Sequence, residues 1–142
     1  MKTRTTPEMI KQLDNDEVFV FGSNTGGVHA GGAARLAIQW GAKLGQGFGL
    51  AGKTFAIPTI AGKWNDGKNP SIGNILSLSK IQGFVKAFVS FAKRNPRKTF
   101  LVTAIGCGIA GFTPKQIAPL FSCALEVSNI SLPEVFWEVL ED

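Results

Sequence analysis

The sequence predicts an α/β protein, a three-layer α-β-α sandwich around a mixed, largely parallel sheet, and three observations carry that prediction. Apolar runs of strand character alternate with stretches of helical period, the order that winds parallel strands with helices on both faces. Val18, Phe19, Val20 and Phe21 are apolar without interruption, as expected of a strand covered on both sides. Two strand-like runs also end in glycine-rich turns that open helix-like stretches: FVFGSNTGGVHAGGAARLAIQ at 19–39 and FLVTAIGCGIAGFTPKQIAPLF at 100–121.

Each element follows from local pattern. Thr6 and Pro7 suit a first helical turn and Met9, Ile10 and Leu13 follow, so a short helix is expected over 6–13. The apolar run at 18–21 is the first central strand. From 30 to 40, Ala33, Ala34, Ala37, Ile38 and Trp40 return at helical spacing and Gly41 can end the helix. Residues 41–52 hold five glycines with no period and read as a loop leading to the strand KTFAIPT, and 60–74 read as an exposed connection. Ile81, Phe84, Val85, Phe88, Val89, Phe91 and Ala92 recur at spacings of three and four, which predicts a long helix over 77–95 stopped by Pro96, its aromatic stripe in the core. A strand over 99–105, a helix over 113–127 kinked or delayed by Pro119, an NISLP strand and a terminal helix complete the order, with Trp40 and Trp137 in the core.

Composition limits the classes available. At 142 residues and 44% hydrophobic content, residues 1–142 fit one domain with a substantial core. No apolar run approaches the roughly 18 residues of a membrane span, and the N-terminus lacks an apolar secretion core, so cytoplasmic residence without membrane association is expected. Cys107 and Cys123, the two cysteines, make neither a disulfide framework nor a metal set, and no metal or cofactor is expected. The net charge of +5 comes from 15 basic and 10 acidic residues, dispersed except for Lys93, Arg94, Arg97 and Lys98, which read as a solvated turn. A modestly basic surface attracts anions, but no basic stretch interleaved with aromatics appears, so a small nucleotide suits it better than nucleic acid.

The glycine turns carry the functional signal. Glycine lets main-chain N–H groups approach an anion, and the partial positive end of a following helix favours negative charge. No G-x-x-x-x-G-K-[ST] occurs, and the first turn lacks a G-x-G-x-x-G with an acid about 20 positions on, which argues against ATP hydrolysis and ordinary dinucleotide redox chemistry. IGCGIAG matches G-x-G-x-x-G, and its pairing with the first turn suggests one phosphate-rich ligand shared between them.

In combination, GSNTGGVHAGGAARLAIQWGA, GFGLAGKTFAIPT and TAIGCGIAGFTPKQIAPLF resemble the macro-domain family over about residues 17–127. FVFGSN, GGAA, AIPT and IGCGIAG are similar, more narrowly, to a compact, largely uncharacterised macro-like branch in bacteria and phages. The resemblance implies binding of ADP-ribose or a related nucleotide diphosphate-ribose in a cleft at the carboxyl ends of the strands. It implies ligand contacts from Gly22, Ser23, Asn24, Gly26, Gly27, His29, Gly31, Gly32 and Ala33, with Asn24 facing the distal ribose. From the second turn it implies Ile105, Gly106, Cys107, Gly108, Ile109, Ala110, Gly111 and Phe112, with Phe112 stacking near a ribose. The family's hydrolases carry an acid just after the first glycine loop, where this chain has Ala33, Ala34 and Arg35. The double-glutamate signature of poly-ADP-ribose-degrading relatives is absent too.

Single residues keep more than one reading. His29, the one histidine, suits a phosphate contact or acid–base assistance, as Asn24 suits orienting a water, or it is incidental to its loop. Cys107 between two glycines reads better as a small buried side chain than as a nucleophile. Trp64, Asn65 and Asp66 line a pocket rim or cap a loop. Alternative functions are a hydrolase or transferase on another nucleotide-derived metabolite, and a nucleic-acid-binding protein.

Overall fold

A computed structural model of the chain describes residues 4–29, 32–62 and 75–141. Trp64, Asn65, Asp66 and Gly31 lie outside the described residues, as does most of the connection expected over 60–74.

The strands are β1 (Thr5–Thr6), β2 (Glu17–Asn24), β3 (Gly49–Ala51), β4 (Thr54–Ile60), β5 (Thr99–Val102) and β6 (Ile130–Pro133). The helices are α1 (Gly32–Ala37), α2 (Leu78–Lys93), α3 (Pro114–Ile117) and α4 (Glu134–Leu140), with 3-10 turns at Ile38–Trp40 and Ala118–Ala124. Six strands form one sheet in the order β1-β6-β5-β2-β4-β3. Neighbouring strands run parallel except β3, which lies antiparallel to β4 at the edge. The expected α/β sandwich with a mixed, largely parallel sheet is therefore what forms.

Alternation along β2 divides the core. Val18 and Val20 face a thick layer built on α2, the 3-10 turn at 118–124 and α4, while Phe19 and Phe21 face a thin layer with Ala37 of α1. Trp40, half-buried, tilts against Phe19 at 5.0 Å between ring centres, so it covers the thin layer rather than filling a core. In α2, Ile81, Val85, Phe88, Val89 and Ala92 are buried, and Phe88 meets Phe55 and Phe100. Deleting one such ring costs about 3–5 kcal/mol, so this helix fastens the thick layer to the sheet. Ser77 caps its start by accepting from the Lys80 N–H at 3.2 Å.

Four further expectations need correction. The segment 6–13 forms no helix: Thr5 and Thr6 pair with Leu132 and Pro133 as an edge strand, and Ile10 and Leu13 then cover the thin layer from an irregular segment. With three apolar positions and no partner helix, the segment gains more from a ladder beside β6 than from an isolated turn. The glycine-rich stretch 41–52 contains β3, whose pairing with β4 no local period announces. β5 stops at Val102, three residues short of expectation. The helix expected over 113–127, kinked or delayed by Pro119, is α-helical only over Pro114–Ile117, before the proline, and a 3-10 turn carries the chain through Pro119 to Ala124.

Arg4 closes the sheet on the β1 side. Its guanidinium donates to the carbonyls of Ile130, Leu125 and Ala124 at 2.9–3.0 Å, and burial pulls its pKa downward. The Trp137 indole N–H donates to the Arg4 carbonyl at 2.9 Å.

Candidate functional site

A cleft opens where the central strands part. β2 pairs with β4 as far as Asn24 and Ile60, but with β5 only to Val20 and Val102. Thr103 makes the last link, its N–H and hydroxyl both donating to the Val20 carbonyl at 3.1 and 2.8 Å. Beyond it, Gly22, Ser23 and Asn24 lose their neighbour on that side. The chain leaves β2 through α1 for β4 on one flank and returns through α2 to β5 on the other, with the two helices on opposite faces. That reversal at the carboxyl ends of parallel strands is where open α/β sheets bind ligands.

The described wall of the cleft comprises Gly22, Ser23, Asn24 and Val28 from the first turn, Gly32, Ala33 and Ala34 of α1, Thr59 and Ile60 of β4, and Thr103–Gly106 with Gly108–Ala110. Ten of the residues expected from sequence lie there: Gly22, Ser23, Asn24, Gly32, Ala33, Ile105, Gly106, Gly108, Ile109 and Ala110. Val28, Ala34, Thr59, Ile60, Thr103 and Ala104 were not foreseen. Thr59 and Ile60 end the AIPTI run, and position after a buried strand would have pointed to them. The cleft holds about 200 Å³, less than the roughly 300–1,000 Å³ of a closed small-molecule pocket. At Gly32, Ala33 and Thr103 it meets a wider groove of about 570 Å³, lined by Met9, Ile10, Phe19 and Leu36 along with Glu8 and Lys11.

The two glycine turns differ in what they do with their N–H groups. In the first, Thr25 donates to Ile60 O, Gly26 to Gly62 O and Gly27 to Asn24 O, each at 3.0 Å, and Val28 donates to the Asn24 Oδ1 at 3.0 Å. The Asn24 amide returns a bond from Nδ2 to the Val28 carbonyl at 2.8 Å, so this side chain ties the turn to itself. Segment 41–52 braces it: Gly45 N donates to Gly27 O at 2.8 Å, and the Ser23 hydroxyl donates to the Gly47 carbonyl. Gly27 has φ +71°, and a Cβ there would strike the Gly45 and Gln46 main chain.

The second turn is open. Cys107 N reaches Ala104 O, Gly111 N reaches Gly108 O and Phe112 N reaches Gly106 O. The N–H groups of Gly106, Gly108, Ile109 and Ala110 make no hydrogen bond among the described residues, and all four residues line the cleft. Gly106, at φ +80°, lets the chain turn beneath Ile117, whose Cδ1 would stand 2.9 Å from an added Cβ. Successive free N–H groups in a turn form a concave site for an anion.

Six expected contacts lie outside the described wall. Gly26 and Gly27 have their donors engaged in the braced turn. His29 is 3% exposed, its ring edge against Phe21 and its Nε2 at 2.9 Å from the Lys43 carbonyl, which pins the turn to the 41–47 segment. Cys107 is half-buried, and burial pushes its thiol pKa up, the opposite of an activated nucleophile. Gly111 ends the turn. Phe112 packs half-buried against the thick core beside Gly106, supporting the loop from behind.

No family model matches this sequence, and no curated protein matches it. A solved structure of a protein of unknown function from Bacteroides thetaiotaomicron is similar to it, with a TM-score of 0.54 at 17% identity, over 84% of this chain and 88% of that one. At that identity the likeness speaks for the α/β fold alone. Among the described residues no helix is long and apolar enough to cross a membrane, and no group of His, Cys, Asp or Glu is arranged to hold a metal ion.

Proposed function

We propose that the chain binds ADP-ribose, or a related nucleotide diphosphate-ribose, with its phosphates against the second glycine turn. The observation that carries this is the set of four N–H groups, from Gly106, Gly108, Ile109 and Ala110, that line the cleft without an acceptor among the described residues. Buried donors left without acceptors cost about 1–3 kcal/mol each, so a ligand or water must meet those shielded from solvent, such as Gly106 and Ala110. Phosphate oxygens suit them because the acceptors are multiple, charged and close together. The small volume of the cleft matches a phosphate-ribose portion, and the adjoining groove with Met9, Ile10 and Leu36 offers an apolar bed for a flat base.

Binding rather than turnover is the reading favoured. Among the described lining residues there is no carboxylate, imidazole or thiol to move a proton or attack a bond.

Thermal melts with millimolar ADP-ribose, ADP, NAD and ribose phosphate test the proposal. Saturation at 100 times Kd adds about 2.7 kcal/mol to folding, a shift of several degrees in a chain of this size. ADP-ribose is expected to give the largest shift. No shift with any of the four would remove the reading.

A further inference from the structure

We infer that the outer face of α2, with the turn that follows it, is a docking surface for the sugar-phosphate backbone of double-stranded DNA. From Leu76 to Phe100 the chain holds no acidic residue, yet Lys80, Lys86, Lys93, Arg94 and Arg97 are all exposed. At 3.6 residues per turn, the four cations from 80 to 94 fall within an arc of about 140°. The sequence suggested only a solvated cluster around Pro96; the helix carries that charge on to Lys80. None of these five side chains makes a hydrogen bond or ion pair among the described residues. Acids do stand near this end: Asp16, whose main-chain carbonyl accepts from Thr99 at 2.8 Å, and Glu17, the register partner of Thr99.

The face is shaped for close approach to a rod. Ser79, Gly83, Ala87 and Ser90 are exposed between the cations, so nothing bulky holds a partner away, and two of them add hydroxyl donors suited to phosphate. Lys86 and Lys93 stand about 10.5 Å apart along the axis at 1.5 Å per residue. The cationic end is held in place by Asn129, whose Nδ2 donates to the carbonyls of Ala92, Asn95 and Lys98 at 3.0–3.1 Å.

Two features favour a nucleic-acid duplex over single strands and membranes. No aromatic on this face is available for stacking, because Phe84, Phe88 and Phe91 pack inward, and single-strand binding relies on such platforms. The apolar side of α2 is consumed by the core, which leaves no face to insert into an anionic membrane. What remains is a broad band of exposed positive charge against a dense line of phosphates. This surface is separate from the cleft and does not rest on the nucleotide reading.

Fluorescence anisotropy of the full chain with a short labelled duplex of mixed sequence, between about 50 and 200 mM salt, tests it. The expected result is binding whose logarithmic salt slope is about −3 to −4. A Lys86→Gln, Lys93→Gln, Arg97→Gln variant should bind at least tenfold more weakly, lower the slope by about three and melt like the parent. Absence of binding at 50 mM salt, or a triple variant with unchanged affinity and slope, would overturn the inference. Equal or tighter binding to double-stranded RNA, a single strand, heparin or anionic vesicles would overturn the choice of duplex DNA. ADP-ribose shifts in the triple variant are expected to stay as in the parent, which separates this surface from the cleft.

Discussion

The two glycine turns look alike in sequence and do opposite things with their backbones. From Thr25 to Val28, four successive N–H groups are accepted by the protein itself, by Ile60, Gly62 and both ends of Asn24. From Gly106 to Ala110, four are left without an acceptor among the described residues at the wall of the cleft. Glycine therefore served two physical needs. At Gly27 it allowed two loops to touch main chain to main chain, and at Gly106 it allowed a tight turn that presents donors outward. Richness in glycine marks backbone freedom, but the placement of acceptors decides whether a turn is a scaffold or a site.

The contrast can be broken most forcefully at the scaffold. Gly27→Ala forces a Cβ into the Gly45–Gln46 main chain at φ +71°, so it should destabilise the fold by about 3–4 kcal/mol in denaturant unfolding. A loss under about 1 kcal/mol would mean the loops can separate cheaply and the brace is an illusion. Asn24→Ala removes both bonds to Val28 and leaves a shielded donor, which should cost about 2 kcal/mol of stability. If it instead abolished ligand affinity at unchanged stability, Asn24 would belong to the ligand and not to the turn.

Substitutions at the open turn should do the reverse. Gly108 has nothing within 4 Å of an added Cβ, so Gly108→Asp should alter stability by less than about 0.5 kcal/mol. Its carboxylate, placed among donors meant for phosphate, should weaken ADP-ribose at least tenfold by calorimetry, equivalent to about 1.4 kcal/mol. His29→Asn, which gives up the bond to Lys43, should lower stability while folded protein binds within twofold of the parent. A tenfold loss of affinity would return His29 to the site.

The smallest effect concerns Cys107. Burial raises its pKa in the folded state, so its contribution to stability is complete below the unfolded thiol pKa and declines as pH rises through the folded value. Because the side chain is only half-buried, the decline should stay well under 1 kcal/mol, and Cys107→Ser should remove it. Iodoacetamide at neutral pH should label exposed Cys123 before Cys107.

Much of the architecture was legible because local pattern and burial agreed. The run at 18–21 sits buried in the sheet, the three-and-four spacing after Ser77 became α2, and Gly41 ends the first helical stretch in the left-handed conformation at φ 110°. The illegible parts depend on distant partners. β1 exists because β6 offers it a ladder, and β3 exists because β4 does. The same holds at the site. Gly22, Gly32 and Gly106 fall on the cleft as their place after strands and before helices implied, but the sequence of Gly26 and Gly27 does not reveal that Gly62 and Asn24 take their donors. His29, read from sequence as a phosphate contact, an acid–base group or an incidental loop residue, is buried, since Phe21 and Lys43 reach it from elsewhere in the chain.

Amide chemical shifts during an ADP-ribose titration of the labelled protein read the central distinction atom by atom. The account predicts large shifts for the N–H groups of Gly106, Gly108, Ile109 and Ala110, with those of Thr25, Gly26, Gly27 and Val28 nearly still. Large shifts in the first turn with a silent second turn would contradict it.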